Sequence, residues 1–152
     1  MPKDAIFAQL AELIRETFEG AKPGEGTAFL DKNGGIRQTL SALTAAQASK
    51  SRNGHPSIAA HARHMAFHLH VTAEWVQGIR MKRDWIGSFQ PYEVTEAQWQ
   101  AIQADLEAAR QQMMTAHAAL DDAKFVEEGA GYGTLAHLAY HLGAIRQLLH
   151  EV

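Results

Sequence analysis

The chain has 152 residues, close to one domain of roughly 100–150 residues and too short for two, so a single domain over 1–152 is expected. Its 46% hydrophobic residues suffice for a core, and 14 Lys and Arg against 17 Asp and Glu leave a net charge of −3 with neither sign gathered into a run. Nucleic acid and membrane surfaces are therefore disfavoured as partners, and the absence of cysteine excludes a disulfide framework, a Cys-ligated metal and a thiol nucleophile.

The segment after Met1-Pro2-Lys3-Asp4 is amphipathic rather than uniformly apolar, which argues against a secretory signal. No apolar run approaches ~18 residues, so a soluble cytoplasmic protein is expected. From Asp4 to Phe18, Ile6, Leu10 and Leu13, joined by Phe7, Ile14 and Phe18, predict an amphipathic helix with Asp4 as its cap and Gly20 and Pro23 closing it. Residues 20–56 are broken by Gly24, Gly26, Gly34, Gly35 and Gly54 and read as a long glycine-rich crossover. It carries one short helix near 36–48. Its glycines match neither dinucleotide-binding nor P-loop spacing.

Ser57 to about Arg83 carries a seam of Ile58, Ala62, Met65, Leu69, Thr72, Val76 and Ile79, whose steps of four and three suit a helix packed in a bundle. Thr95-Glu96-Ala97-Gln98 is a capping box with Val94 and Trp99 as its hydrophobic staple. It opens a helix with Trp99, Ile102, Leu106, Ala109, Met113, Ala116 and Leu120 inward, ending near Asp121. After a loop of Gly129, Gly131 and Gly133, Thr134 is the expected N-cap of a last helix with Thr134, Leu138, His141, Ile145 and Leu148 inward. Four long helices without strand-like alternation predict an all-α four-helix bundle.

Histidine is the outlier, nine in all, with six in two stretches: His61, His64, His68 and His70, then His137 and His141. On the helical wheel His61, His64 and His68 fall on the inner half, His61 nearest its centre, while His70 shares a polar face with Arg63, Glu74 and Gln77. His137 and His141 stand one turn apart and about 40° around the axis, a spacing that grips one metal ion. A third ligand is expected from the facing helix. His55, His70, His117 and His150 read as ordinary surface or loop residues. Neither His-Glu-x-x-His nor Glu-x-x-His occurs, which leaves a mononuclear three-histidine site with an open position.

The stretch Ser57-Ile58-Ala59-Ala60-His61-Ala62-Arg63-His64-Met65 resembles the first histidine motif of the DinB-like (damage-inducible) four-helix family. His137-Leu138-Ala139-Tyr140-His141-Leu142-Gly143-Ala144-Ile145-Arg146-Gln147 is similar to that family's closing His-x-x-x-His motif and its Gly-x-Ile-x-Gln sequel. With helix count and order, the resemblance covers nearly the whole chain. It implies an up-down-down-up bundle, often a homodimer, holding a divalent metal ion, nickel or zinc, through a histidine seven residues after the opening Ser57 and two histidines of the last helix. Those positions are His64, His137 and His141, with His61 and His68, one turn either side of His64, as alternates.

Characterised relatives in that family include bacillithiol- and mycothiol-dependent transferases and isomerases. The resemblance thus implies a small-molecule substrate, a low-molecular-weight thiol as cosubstrate and a thiol-dependent transfer. A metal-dependent hydrolase and a non-catalytic metal- or small-ligand-binding bundle are the alternatives. No Glu or Asp adjoins His64, His137 or His141 in sequence to act as general base, which favours thiol transfer over hydrolysis. Trp75, Trp85, Phe89, Tyr92 and Trp99 are candidates for a pocket wall, a core plug or a dimer contact. Arg146 suits the dipole of the helix end better than it suits a substrate carboxylate.

Overall fold

Apolar residues at four-residue steps build the first helix, α1 (Lys3–Glu19), which buries Leu10, Ile14 and Phe18 against the core. In the computed structural model residues 2–31 and 34–152 are described, Ala130 by its backbone alone; Lys32 and Asn33, within the glycine-rich stretch, lie outside the described residues. Asp4 sits inside the first turn of α1, not at its cap, because the chain becomes helical right after Pro2. Its carboxylate there faces the positive end of the helix dipole. Gly20, at φ 76°, closes the helix as its sequence position implies.

The expected single helix over 36–48 is two: α2 (Ile36–Ser41) and α3 (Ala45–Ala48). Thr44 divides them, since its side chain accepts from the Gln47 N–H while the Gln47 side chain reaches back, a capping box that restarts the helix. The next long helix, α4 (Ile58–Val76), starts on Ser57, whose Oγ accepts from Ala60 N–H. It stops at Val76 rather than Arg83. Gly78 adopts φ 85°, a left-handed turn that ends the helix, and leaves Ile79 42% exposed instead of in the seam.

The capping box of Thr95 and Gln98 forms as expected and opens α5 (Glu96–Ala118), whose Trp99, Ile102, Leu106, Ala109, Met113 and Ala116 are all buried. Asp121 then caps a further short helix, α6 (Asp122–Glu127), that period alone did not reveal because it spans less than two turns. The last helix, α7 (Tyr132–Leu148), begins two residues before Thr134, from Gly131 at φ 73°. Thr134 is therefore a buried residue of the first turn and not the N-cap.

Among the described residues all regular structure is helical, four helices of 17 to 23 residues and three of six or fewer, with three 3₁₀ turns. The core lies where α4 packs along α5 and against α7, with α1 on α7 and α2. Fully buried Ala59, Ala62, Ala66 and Ala73 narrow α4, and Met65, Leu69, Leu106 and Met113 fill the space between the helices. Trp99 is the largest buried side chain and still satisfies its polar atom, donating Nε1–H to the Leu43 carbonyl at 2.9 Å. This packing brings the histidines of α4 opposite those of α7. None of the described helices is long and apolar enough to cross a membrane.

Candidate metal centre

His64 and His141 are buried by the α4–α7 packing, and His137, one turn before His141, is half-buried beside them. Each of the three offers one ring nitrogen such that all lie within 4.8 Å of one another, close enough to hold a metal ion. Nitrogens around one ion at about 2.1 Å can be at most ~4.2 Å apart, so small side-chain rotations would complete the fit. His61 and His68 complete a cluster of five rings without belonging to that set.

Hydrogen bonding sorts the ring atoms. His64 Nδ1 meets Ser88 Oγ at 2.6 Å, and His141 Nδ1 meets His61 Nδ1 at 2.9 Å, so on both rings Nε2 is the nitrogen left over. For His141 to ligate through Nε2 its Nδ1 must carry the proton and donate it to His61, which makes His61 the orienting partner. His137 Nε2 is buried with no hydrogen-bond partner at all, an orphaned lone pair or proton in the middle of the cluster. His68 Nε2 is orphaned in the same way, and its ring stacks on His137 at 3.8 Å between centroids and 15° between planes. Orphaned buried nitrogens beside two oriented ones are a donor set that a borderline divalent ion fits.

The electrostatics agree. Burial is the main reason that His64 is pushed down to about 4 and His68 and His141 to about 3, with smaller contributions from neighbouring histidines. Burial likewise lowers His61 and His137. At neutral pH all five imidazoles are uncharged, the state in which a lone pair can be donated. Among the described residues no carboxylate hydrogen-bonds to any of the five, so Ser88 and His61 hold the outer positions that carboxylates often take around metal-bound histidines.

Of the aromatic residues singled out in the sequence, Phe89 stacks on His64 at 3.9 Å and 11°, and Trp85 packs against His64, His68, Phe67 and Trp75. Trp99 is in the core, away from this wall. His70 reaches across to α5, where its two nitrogens meet Gln112 at 2.8 Å and Asp105 at 2.9 Å. His117, expected at the surface, is 1% exposed: its Nδ1–H donates to Met113 O at 3.1 Å and its ring meets the edge of Phe125. Position next to Ala116 in the buried seam was the available signal. Ser88 was not legible as a site residue, since nothing local marks a serine in a connection as a partner of a histidine on α4.

Comparison with protein-family models, with curated proteins and with solved structures finds no match. What the cluster can do follows from its own chemistry.

Proposed function

We propose that the protein is a divalent-metal-dependent enzyme whose ion is held by His64, His137 and His141, and that it transfers a low-molecular-weight thiol to a small electrophile. The observation that carries this reading is the convergence of three neutral imidazoles from two helices, one of which, His137, has a buried Nε2 with no hydrogen-bond partner. Nickel or zinc suits such an all-nitrogen set, and when bound it would supply Lewis acidity and stabilise a thiolate at neutral pH. The DinB-like up-down-down-up arrangement and pairing into a homodimer belong to the same proposal. So does a cytoplasmic location, where low-molecular-weight thiols are kept reduced.

The rest is the work of side chains. A cavity of about 460 Å³ opens directly on His61 and His141 and is walled by Pro56, Phe89, Tyr140 and Leu148, so a small molecule there would rest on apolar surface with its reacting atom beside the histidines. His61 and Ser88 keep two rings oriented. In the transfer the S–H bond of the thiol breaks, its sulfur bonds to the electrophilic carbon, and the leaving group departs with its electron pair and takes up a proton. Among the described residues no carboxylate hydrogen-bonds to the five clustered histidines, so a cosubstrate that is itself the nucleophile asks less of the chain than activating water does.

The test is metal content followed by omission. Protein purified without an affinity tag should carry about one divalent ion per chain, and His137→Ala and His141→Ala should each abolish it. An electrophile such as a chloronitrobenzene should be consumed faster with thiol, metal and protein together than with any one left out. Unchanged metal content in both variants overturns the metal reading. Ester hydrolysis without thiol, lost in His64→Ala, replaces transferase by hydrolase. Light scattering that gives the monomer mass at micromolar concentration overturns the dimer.

A further inference from the structure

Helix α4 holds the connection that follows it by three side chains. Ser57 Oγ donates to Tyr92 O at 2.6 Å, the Arg63 guanidinium donates to Gln90 O, and His64 Nδ1 meets Ser88 Oγ at 2.6 Å. Ser88 stands in a 3₁₀ turn (Gly87–Phe89) that is fixed from within: Asp84 Oδ1 accepts from Gly87 N–H at 2.8 Å and Asp84 O accepts from Ser88 N–H at 3.1 Å. The hydroxyl of Ser88 is buried and has a second neighbour, the Trp85 carbonyl oxygen, also at 2.6 Å.

A serine hydroxyl has one hydrogen, and a carbonyl oxygen can only accept. If that hydrogen pointed at His64, the lone pairs of Ser88 Oγ and Trp85 O would face each other at 2.6 Å, a repulsive contact. The hydrogen therefore lies between Ser88 and Trp85. Ser88 Oγ is then an acceptor toward His64, and Nδ1 must be the protonated nitrogen of that ring. A neutral imidazole carries a single N–H, so Nε2 keeps its lone pair. Phe89, the neighbour of Ser88 in the same turn, stacks on the imidazole at 3.9 Å and 11°, so the plane of the ring is held by the turn that also sets its tautomer.

We infer that Ser88 is a positioning residue for the metal site: through the chain His64 Nδ1–H to Ser88 Oγ–H to Trp85 O=C it locks His64 in the tautomer whose Nε2 donates to a divalent cation. The inference rests on the metal reading above for its purpose, and on the hydrogen-bond chain for its content. It makes the connection between α4 and α5 part of the site, although no residue of that connection offers a nitrogen to the ion. It also gives the serine hydroxyl the task that a carboxylate often performs, without bringing a negative charge into the cluster.

The tautomer is measurable with no metal present. In the ¹⁵N-labelled full-length protein in chelator at neutral pH, two-bond nitrogen–proton correlations should show His64 with a protonated Nδ1 and an unprotonated Nε2. Ser88→Ala should release the ring toward the other tautomer and weaken Zn²⁺ binding, read by competition with a chromophoric chelator, about 10- to 100-fold. Ser88→Thr, which keeps the hydroxyl, should restore both. A wild-type His64 protonated on Nε2 overturns the inference, as does Ser88→Ala with unchanged tautomer and zinc affinity. If circular dichroism shows that Ser88→Ala has lost its fold, the wild-type tautomer decides alone. Wild-type protein with the expected tautomer that takes up no zinc overturns the metal reading and leaves the hydrogen-bond chain standing.

Discussion

Glu16 and the clustered histidines respond to burial in opposite ways, and the difference is hydrogen bonding. The Glu16 carboxylate is 3% exposed, yet it accepts N–H groups from Ala28 at 2.7 Å, Phe29 at 3.0 Å and Leu30 at 2.9 Å. Burial pushes its pKa up, but these three bonds together with Arg15 outweigh it and hold the group below its ordinary 4.5. Its stabilisation is therefore present above pH 4.5 and is lost as pH falls through the lower, folded value. Glu16→Gln, which turns an amide N–H₂ toward backbone donors, should cost about 1–3 kcal/mol in urea unfolding at pH 7, with a smaller difference at pH 3. The histidines have no such compensation. Their folded pKa values, about 4 for His64 and about 3 for His68 and His141, lie below the unfolded 6.5, so the unfolded chain takes up protons first. The metal-free protein should hold its stability above pH 6.5 and lose it steadily toward pH 4; urea midpoints in chelator that stay level from pH 7 to pH 5 would contradict neutral burial of these rings.

At the scale of elements, what a few neighbouring residues decide was readable and what distant packing decides was not. The α5 start needs only Thr95 and Gln98, whose reciprocal bonds satisfy helix N–H groups locally, and it forms where the sequence placed it. Thr95→Ala should cost about 1 kcal/mol, seen as a lower urea midpoint at unchanged slope. The end of α4 was misplaced because its apolar period runs on to Ile79 while the left-handed turn at Gly78 ends the helix. Thr134 had the residue type of an N-cap, but Gly131 starts α7 one turn earlier and Thr134 is buried instead. His117 was misjudged for a related reason: a polar side chain next to a seam can be drawn inside when a carbonyl, here Met113 O, accepts its proton.

For the whole molecule, an ion bound at the histidines would join α4 to α7 and act on the fold as a ligand of the native state alone. Zinc at one hundred times its dissociation constant should then raise the unfolding free energy by about 2.7 kcal/mol, and thermal melts of His137→Ala and His141→Ala should not move with zinc. Both variants remove a polar group that burial penalises, so without metal neither should be less stable than the wild type by more than about 2 kcal/mol.

The sequence by itself determined the helical character of the chain, because periods of three and four apolar residues and the Thr95 cap are local properties that no distant contact has to supply. It also excluded cysteine as a metal ligand and put six of the nine histidines into two short stretches, which made histidine the candidate ligand. Which histidines meet was decided by tertiary structure. Helical period placed His61 nearest the inner centre of α4, but the packing of α4 on α7 sets His64 with His137 and His141 and leaves His61 bonded to His141 Nδ1. The proton on His64 depends on tertiary structure too, because a tautomer depends on what faces it: here that is a serine 24 residues away, brought in by a connection that α4 itself pins down.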